Sequence, residues 1–201
     1  MTGISLRHSR ISWENIRFRW LLILAAILAA AAIACSSNDD LNNDFVSSTG
    51  SGDLAPDLTV SMFQGQDVVG GEKVTLSGLI GGRPIVLNFW AGLCPPCRVE
   101  LAYLESVHHD FRGKVTVIGI DLGQYTGLGN QNDAQQLLND LAITFPAGFT
   151  NDATVTRDYQ VMAMPTTVFI NSIGEVFRKW DGLLTHDVLT ELTNEMLAME
   201  R

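Results

Sequence analysis

Residues 90–98 read Trp90-Ala91-Gly92-Leu93-Cys94-Pro95-Pro96-Cys97-Arg98 and follow directly on Pro84-Ile85-Val86-Leu87-Asn88-Phe89. The apolar run that ends at Trp90 lies between Gly81-Gly82 and Gly92, and it predicts a central strand buried on both faces. Beyond Cys97, residues Leu101, Leu104, Val107 and Phe111 recur every three or four positions. That is one face of a helix, which Gly113 would end. Two cysteines two residues apart, opening a helix straight after a buried strand, are the context that separates a redox pair from a chance spacing. Cys94 falls at the helix N-cap, where unpaired N–H groups and the positive end of the helix dipole favour a thiolate. Cys97, one turn on, is within reach of a disulfide. Pro95 and Pro96 are tolerated in a first turn, but they remove two amides that would otherwise solvate the thiolate. A less acidic thiol than a strong oxidant carries is expected, which favours a reductant or an exchange enzyme.

Working outward, residues 57–62 and 73–76 predict short strands around the Gly70-Gly71 turn. Residues 115–121 predict a second buried strand. Ala134, Leu137, Leu138 and Leu141 mark another helix. Residues 166–170 and 175–180 read as strands joined by Asn171-Ser172-Ile173-Gly174, a hairpin signal. Thr185 can cap a last helix with Val188, Leu189, Leu192 and Met196 on its buried face. The order strand–helix–strand, helix, hairpin, helix predicts a three-layer α/β domain with a parallel first crossover and a mixed sheet.

The N-terminal segment has a different character. Residues 1–19 hold Arg7, Arg10, Arg17 and Arg19 against the single acid Glu14, and a short apolar run leads from Trp20 to Ala34. A basic flank, a short apolar stretch and small residues before a break describe an export signal over 1–34. The break, Ala32-Ile33-Ala34-Cys35, resembles the lipobox of bacterial lipoproteins, which would make Cys35 a lipidated first residue; an uncleaved signal anchor is the alternative. Either way the rest of the chain would be tethered at a membrane and work outside the cytoplasm. Residues 35–54 are rich in Ser, Asn, Asp and Gly and read as a flexible stalk, leaving 55–201 as the folded domain.

Composition narrows the function classes. The 201 residues carry 13 Lys+Arg against 22 Asp+Glu, a formal net charge of −9, so no basic excess is present to neutralise nucleic-acid phosphates. The three cysteines are too few for a disulfide-stapled scaffold or a four-sulfur zinc site. His8 lies in the export signal, His108 and His109 sit at least a turn along the helix from Cys97, and His186 is remote in sequence, so a metal site is not expected.

These motifs together resemble the TlpA/ResA-like branch of the thioredoxin superfamily, close to the alkyl hydroperoxide reductase/thiol-specific antioxidant (AhpC/TSA) group. The resemblance covers roughly residues 55–198. Its carriers are Ala55-Pro56-Asp57, Val74-Thr75-Leu76-Ser77, Asn88-Phe89-Trp90-Ala91, Cys94-Pro95-Pro96-Cys97-Arg98 with Glu100, and Met164-Pro165-Thr166-Thr167 with Phe169-Ile170. The resemblance implies a thioredoxin-like α/β/α domain around a mixed sheet, needing no cofactor. Cys94 would be the attacking nucleophile and Cys97 the resolving thiol. Pro165 would be a cis-proline facing them, and Glu100 would handle protons, since Asn88 stands where cytoplasmic thioredoxins carry a buried Asp. Trp90, Met164, Pro95 and Pro96 would contact substrate, the Met164 backbone pairing with an extended segment. The partners implied are disulfide-containing extracytoplasmic proteins, among them apocytochromes c, and a membrane thiol carrier as electron donor.

Two departures stand out: Leu93 replaces a common Trp, and Ala102 stands where relatives often carry a helix-kinking Pro. Simpler readings stay open. Trp90 can be plain core, Glu100 a solvated carboxylate, Met164 a packing residue, Asp121 a turn former, and His108 and His109 solvated. Peroxide reduction, as in the thiol-specific antioxidant relatives, and copper delivery on the same fold are the alternative activities. Neither the arginine that follows Cys97 nor the two-residue cysteine spacing suits them.

Overall fold

The computed structural model describes residues 48–49 and 52–200. Eight strands among these residues form one mixed sheet in the order β1-β8-β7-β4-β5-β6-β2-β3. The strands are β1 (Ser48–Thr49), β2 (Thr59–Gln64), β3 (Lys73–Thr75), β4 (Ile85–Trp90), β5 (Thr116–Asp121), β6 (Ala147–Phe149), β7 (Thr166–Ile170) and β8 (Val176–Asp181). Three substantial helices cover it: α2 (Pro95–Asp110), α4 (Gln131–Asp140) and α6 (His186–Met199). Short turns of helix stand at α1 (Gln66–Val69), α3 (Gly123–Thr126) and α5 (Val155–Asp158).

β4 is central, as its apolar run requires. All six of its residues are buried, with β5 parallel on one side and β7 antiparallel on the other. Burial on both faces divides the core in two. Val86 and Trp90 face the layer that holds α2 and α6, whereas Ile85, Leu87 and Phe89 face Leu58, Val60, Val155 and Tyr159. α2 runs unbroken for 16 residues through Ala102. Thr185 caps α6 by accepting the Val188 N–H. Val188 on that helix is only partly buried; Thr193 takes a place on the buried face, its hydroxyl donating to the Leu189 carbonyl at 2.7 Å.

The structure departs from the sequence reading at the edges. The folded body extends N-terminal of Ala55: Ser48 pairs with Lys179 and Thr49 with Arg178, inside the segment read as stalk. An edge strand held by backbone hydrogen bonds needs no apolar signature, so composition does not reveal it. The strand expected at 57–62 is β2 and runs Thr59–Gln64, because Asp57 is engaged elsewhere. Its carboxylate accepts the N–H groups of Leu58 and Ser77 and the Ser77 hydroxyl. β6 and the three short helices carry too few residues for a period to show. Residues 1–34 and Cys35 lie outside the described residues, as does the lipidation reading; no helix among the described residues is long and apolar enough to cross a membrane.

β6 fits between β5 and β2 only because Gly148 has no side chain. A Cβ there would lie 2.3 Å from the Ser61 carbonyl oxygen and 2.8 Å from Val60 Cγ1. Gly148→Ala is therefore expected to destabilise the domain by about 1–3 kcal/mol. In a domain of this size that lowers the melting temperature by roughly 2–4 °C per kcal/mol. A thermal melt of the oxidised protein measures it, and an unchanged melt would show that the β2–β6 seam is slack.

Candidate active site

The site is assembled at one end of the sheet, where β4 stops. Trp90 is the last residue of β4, and the chain turns through Ala91-Gly92-Leu93 into α2. Cys94 N–H donates to the Ala91 carbonyl, and Leu93 N–H donates to the Leu128 carbonyl at 2.8 Å. Cys94 is the N-cap of α2, with an extended backbone. Pro95 and Pro96 occupy the first two helical positions and have no N–H. The first amide available to the sulfur is that of Cys97, which donates to Cys94 Sγ at 3.3 Å. The next, from Arg98, goes to the Cys94 carbonyl oxygen. One amide thus reaches the sulfur where a proline-free turn offers more.

Cys94 and Cys97 are joined as a disulfide, with Cα atoms 5.2 Å apart. Both are buried in this oxidised state, Cys94 at 2% exposure and Cys97 completely. The surface beside them is apolar: Leu93 is 60% exposed, Pro95 is exposed and Pro96 half-buried.

Glu100 lies one turn further along α2 than Cys97 and is wholly buried. Three groups donate to it. Oε1 accepts from Asn88 Nδ2 at 2.9 Å and from Thr167 Oγ1 at 2.7 Å, and Oε2 accepts from the Leu184 N–H. Asn88 Nδ2 also reaches Thr167 Oγ1 at 2.8 Å. Burial disfavours the charge and these three donors favour it; burial wins, and the carboxyl is pushed up to about 7. The group therefore sits where it can take or release a proton near neutrality.

Pro165 precedes β7 and its peptide bond with Met164 is cis, as the resemblance implies. The register pairs Thr166 with Phe89 and Thr167 with Asn88, which sets Pro165 level with the end of β4. The loop is pinned from behind by Asp181, whose Oδ1 accepts from Thr166 Oγ1 at 2.7 Å and from the Met162 N–H at 3.3 Å. The Gly182 N–H donates to the Pro165 carbonyl at 2.7 Å. Met164 packs against the core layer that contains both cysteines, while Met162 stands 82% exposed.

Trp90 is placed differently from its reading as a substrate contact. It is fully buried, and its indole nitrogen lies over Gly119, where a Cβ would come within 2.8 Å. It supports the site from inside. The sequence reading also left Thr167 and Leu184 without roles, although both bind Glu100. A polar Asn88 within an otherwise apolar buried strand was the signal for them, since a buried amide demands partners. Among the described residues no group of His, Cys, Asp and Glu is arranged to hold a metal ion.

Residues 51–178 match the AhpC/TSA family. The chain is 31% identical over 179 residues to the thiol-disulfide oxidoreductase ResA of Oceanobacillus iheyensis, covering 89% of this chain and 88% of that one. Among solved structures it superposes on the thiol:disulfide interchange protein DsbE of Chlorobium tepidum with a TM-score of 0.62 at 25% identity, covering 75% of this chain and 99% of that one. It also superposes on the thioredoxin domain of a thiol-disulfide oxidoreductase of Bacteroides vulgatus with a TM-score of 0.58 at 18% identity, covering 75% of this chain and 97% of that one. The last likeness is one of fold.

The raised carboxyl has a thermodynamic consequence. Glu100 titrates near 4.5 when unfolded and near 7 when folded, so between those values the folded state holds the extra proton. Stability therefore falls as pH rises from about 4.5 to 7, by up to about 3 kcal/mol from this group. Asp121, raised to about 6, adds a slope of the same sign at lower pH. Denaturant melts across this range should show the decline, and Glu100→Gln should remove its upper part, between about pH 5 and 7. An equal slope in wild type and variant would mean that Glu100 is ionised throughout.

Proposed function

This chain belongs to the AhpC/TSA family, and from that premise we propose that it is an extracytoplasmic thiol-disulfide oxidoreductase that reduces disulfides in partner proteins. The observation that carries the reading is the Cys94–Cys97 disulfide at the mouth of α2 with a neutral-range acid, Glu100, one turn behind it. In the reduced protein Cys94, at the helix mouth, is the nucleophile. Its thiolate attacks one sulfur of a partner disulfide, the S–S bond breaks, and the partner's other sulfur leaves as thiolate. Cys97 gives its proton to Glu100, attacks Cys94 Sγ, and releases the second partner sulfur. Two electrons pass from the cysteine pair to the partner, and a membrane thiol carrier restores them.

The direction is supported by the start of α2. With two prolines in the first turn, one amide stabilises the Cys94 thiolate. A poorly stabilised thiolate keeps the dithiol a good reductant. Exchange is also favoured over peroxide reduction by Arg98, whose guanidinium is turned away to Asp140 at 3.1 Å on the surface and does not polarise a peroxide at the sulfurs. The exposed apolar Leu93 beside Cys94 suits an apolar protein segment as substrate. The haem-attachment thiols of apocytochromes c are the substrate class proposed, and the outer face of the cytoplasmic membrane is the place. Tethering would come through an uncleaved signal anchor at 1–34 or a lipid on Cys35.

The reduced protein is expected to release thiols stoichiometrically from a peptide carrying an oxidised Cys-x-x-Cys-His segment. Cys97→Ser should arrest as a mixed disulfide with that peptide through Cys94, and Cys94→Ser should form none. An arrested adduct on Cys97 would invert the roles, and a redox titration placing the pair among strong oxidants would reverse the direction.

A further inference from the structure

Asp181 closes β8, and its carboxylate divides its contacts between its own strand and the loop before β7. Lys179, two residues back and so on the same face of the strand, pairs with Oδ2. Oδ1 is left for the loop, where it accepts from the Met162 N–H at 3.3 Å and from Thr166 Oγ1 at 2.7 Å. These two donors stand on either side of the cis bond between Met164 and Pro165. The Thr166 hydroxyl also reaches the Ala163 carbonyl at 2.7 Å, which draws the ends of the loop together. Directly after Asp181, the Gly182 N–H holds the Pro165 carbonyl and the Leu184 N–H holds Glu100. The exchange steps above make no use of Asp181.

What this clamp holds is backbone without a partner. Met164 is half-buried, and among the described residues neither its N–H nor its C=O makes a hydrogen bond. A residue before proline is biased towards extended backbone. Pro165 beside it stands level with the end of β4, the strand that runs on to Cys94. Extended backbone with free donor and acceptor groups is a template for an added strand. The clamped segments also carry apolar surface: Met162 is 82% exposed and Leu183 43%. An extended polypeptide can use both the backbone and that surface, whereas a small disulfide offers no backbone to pair.

We infer that Asp181 is a positioning residue, which fixes the loop of residues 162–166 so that Met164 offers its backbone to an extended polypeptide, and which thereby makes the site favour protein disulfides over small ones. The inference rests on the exchange reading above and adds to it the source of the preference. A loop already held in one shape need not be ordered when a segment docks on it, so the benefit falls on binding. Asp181 takes no part in the sulfur or proton steps, so the rate of exchange once the segment is bound does not depend on it. Binding and chemistry are therefore separable at this residue.

The test mixes pre-reduced protein with the oxidised Cys-x-x-Cys-His peptide over a range of concentrations, and separately with dithiodipyridine, and follows thiol release through one turnover. Asp181→Ala removes both loop contacts. It should raise the peptide concentration that gives half the limiting rate by about tenfold, the worth of one hydrogen bond to a charged group. The limiting rate and the dithiodipyridine rate should stay within about twofold of wild type. Asp181→Asn keeps an oxygen acceptor for Met162 and Thr166 and should recover most of the lost affinity. An unchanged half-saturation in Asp181→Ala overturns the inference, and so does an equal slowing towards both disulfides, which would put the damage at the dithiol. Should Asp181→Ala fail to fold, Thr166→Val decides: it removes the hydroxyl donor at nearly constant shape, and a wild-type half-saturation in it overturns the inference. Wild-type protein that reduces neither disulfide contradicts the exchange reading itself, and the inference falls with it.

Discussion

A buried carboxyl group, gripped by donors from three separate parts of the chain, is the constraint on which the site depends. Glu100 sits on α2, and it binds Asn88 of β4, Thr167 of β7 and the backbone of Leu184 before α6. These contacts fix the helix that carries Cys94 and Cys97 to the two central strands and to the loop behind Pro165. The same enclosure that makes the knot rigid makes the charge unfavourable, and so the structural tie is also a proton store close to neutral pH. Structure and chemistry here have one cause.

The start of α2 shows how a small change in backbone chemistry sets the character of a thiol. A helix mouth ordinarily presents several unpaired amides. Pro95 and Pro96 withdraw two of them, and the Arg98 amide is already taken by the Cys94 carbonyl, which leaves the Cys97 amide for the sulfur. The prolines stabilise the first turn, because their fixed φ suits it, while leaving the thiolate less well held. Leu93 in place of an aromatic residue keeps the entrance apolar and exposed without a large flat ring.

Much of this was legible in the residues. The buried strand, the C-x-x-C at its end, the helix face from Leu101 to Phe111 and the Thr185 cap all rest on local rules of burial, period and capping, and local rules act wherever the sequence places them. Glu100 was legible as a candidate only through the family likeness. Its burial and its partners are long-range facts, since Thr167 and Leu184 lie 67 and 84 residues away. Trp90 reads either as a substrate contact beside the cysteines or as plain core, and the buried indole over Gly119 fits the second. β1 and β6 were illegible because pairing at a sheet edge, and at a glycine seam, is decided by the partner strand. Asp121 reads as a turn former, and at the end of β5 its carboxylate does accept the Gly123 N–H.

The account turns on Glu100 being neutral at mildly acidic pH inside the oxidised domain. Carboxyl carbon-13 NMR of the oxidised protein, with the Glu100 resonance assigned by its loss in Glu100→Gln, follows that proton directly. A titration centred near pH 7 is what the buried, donor-ringed carboxyl requires. A midpoint near 4.5 would show a carboxylate too weakly basic to take the Cys97 proton near neutral pH, and the Cys97 step would lose its acceptor.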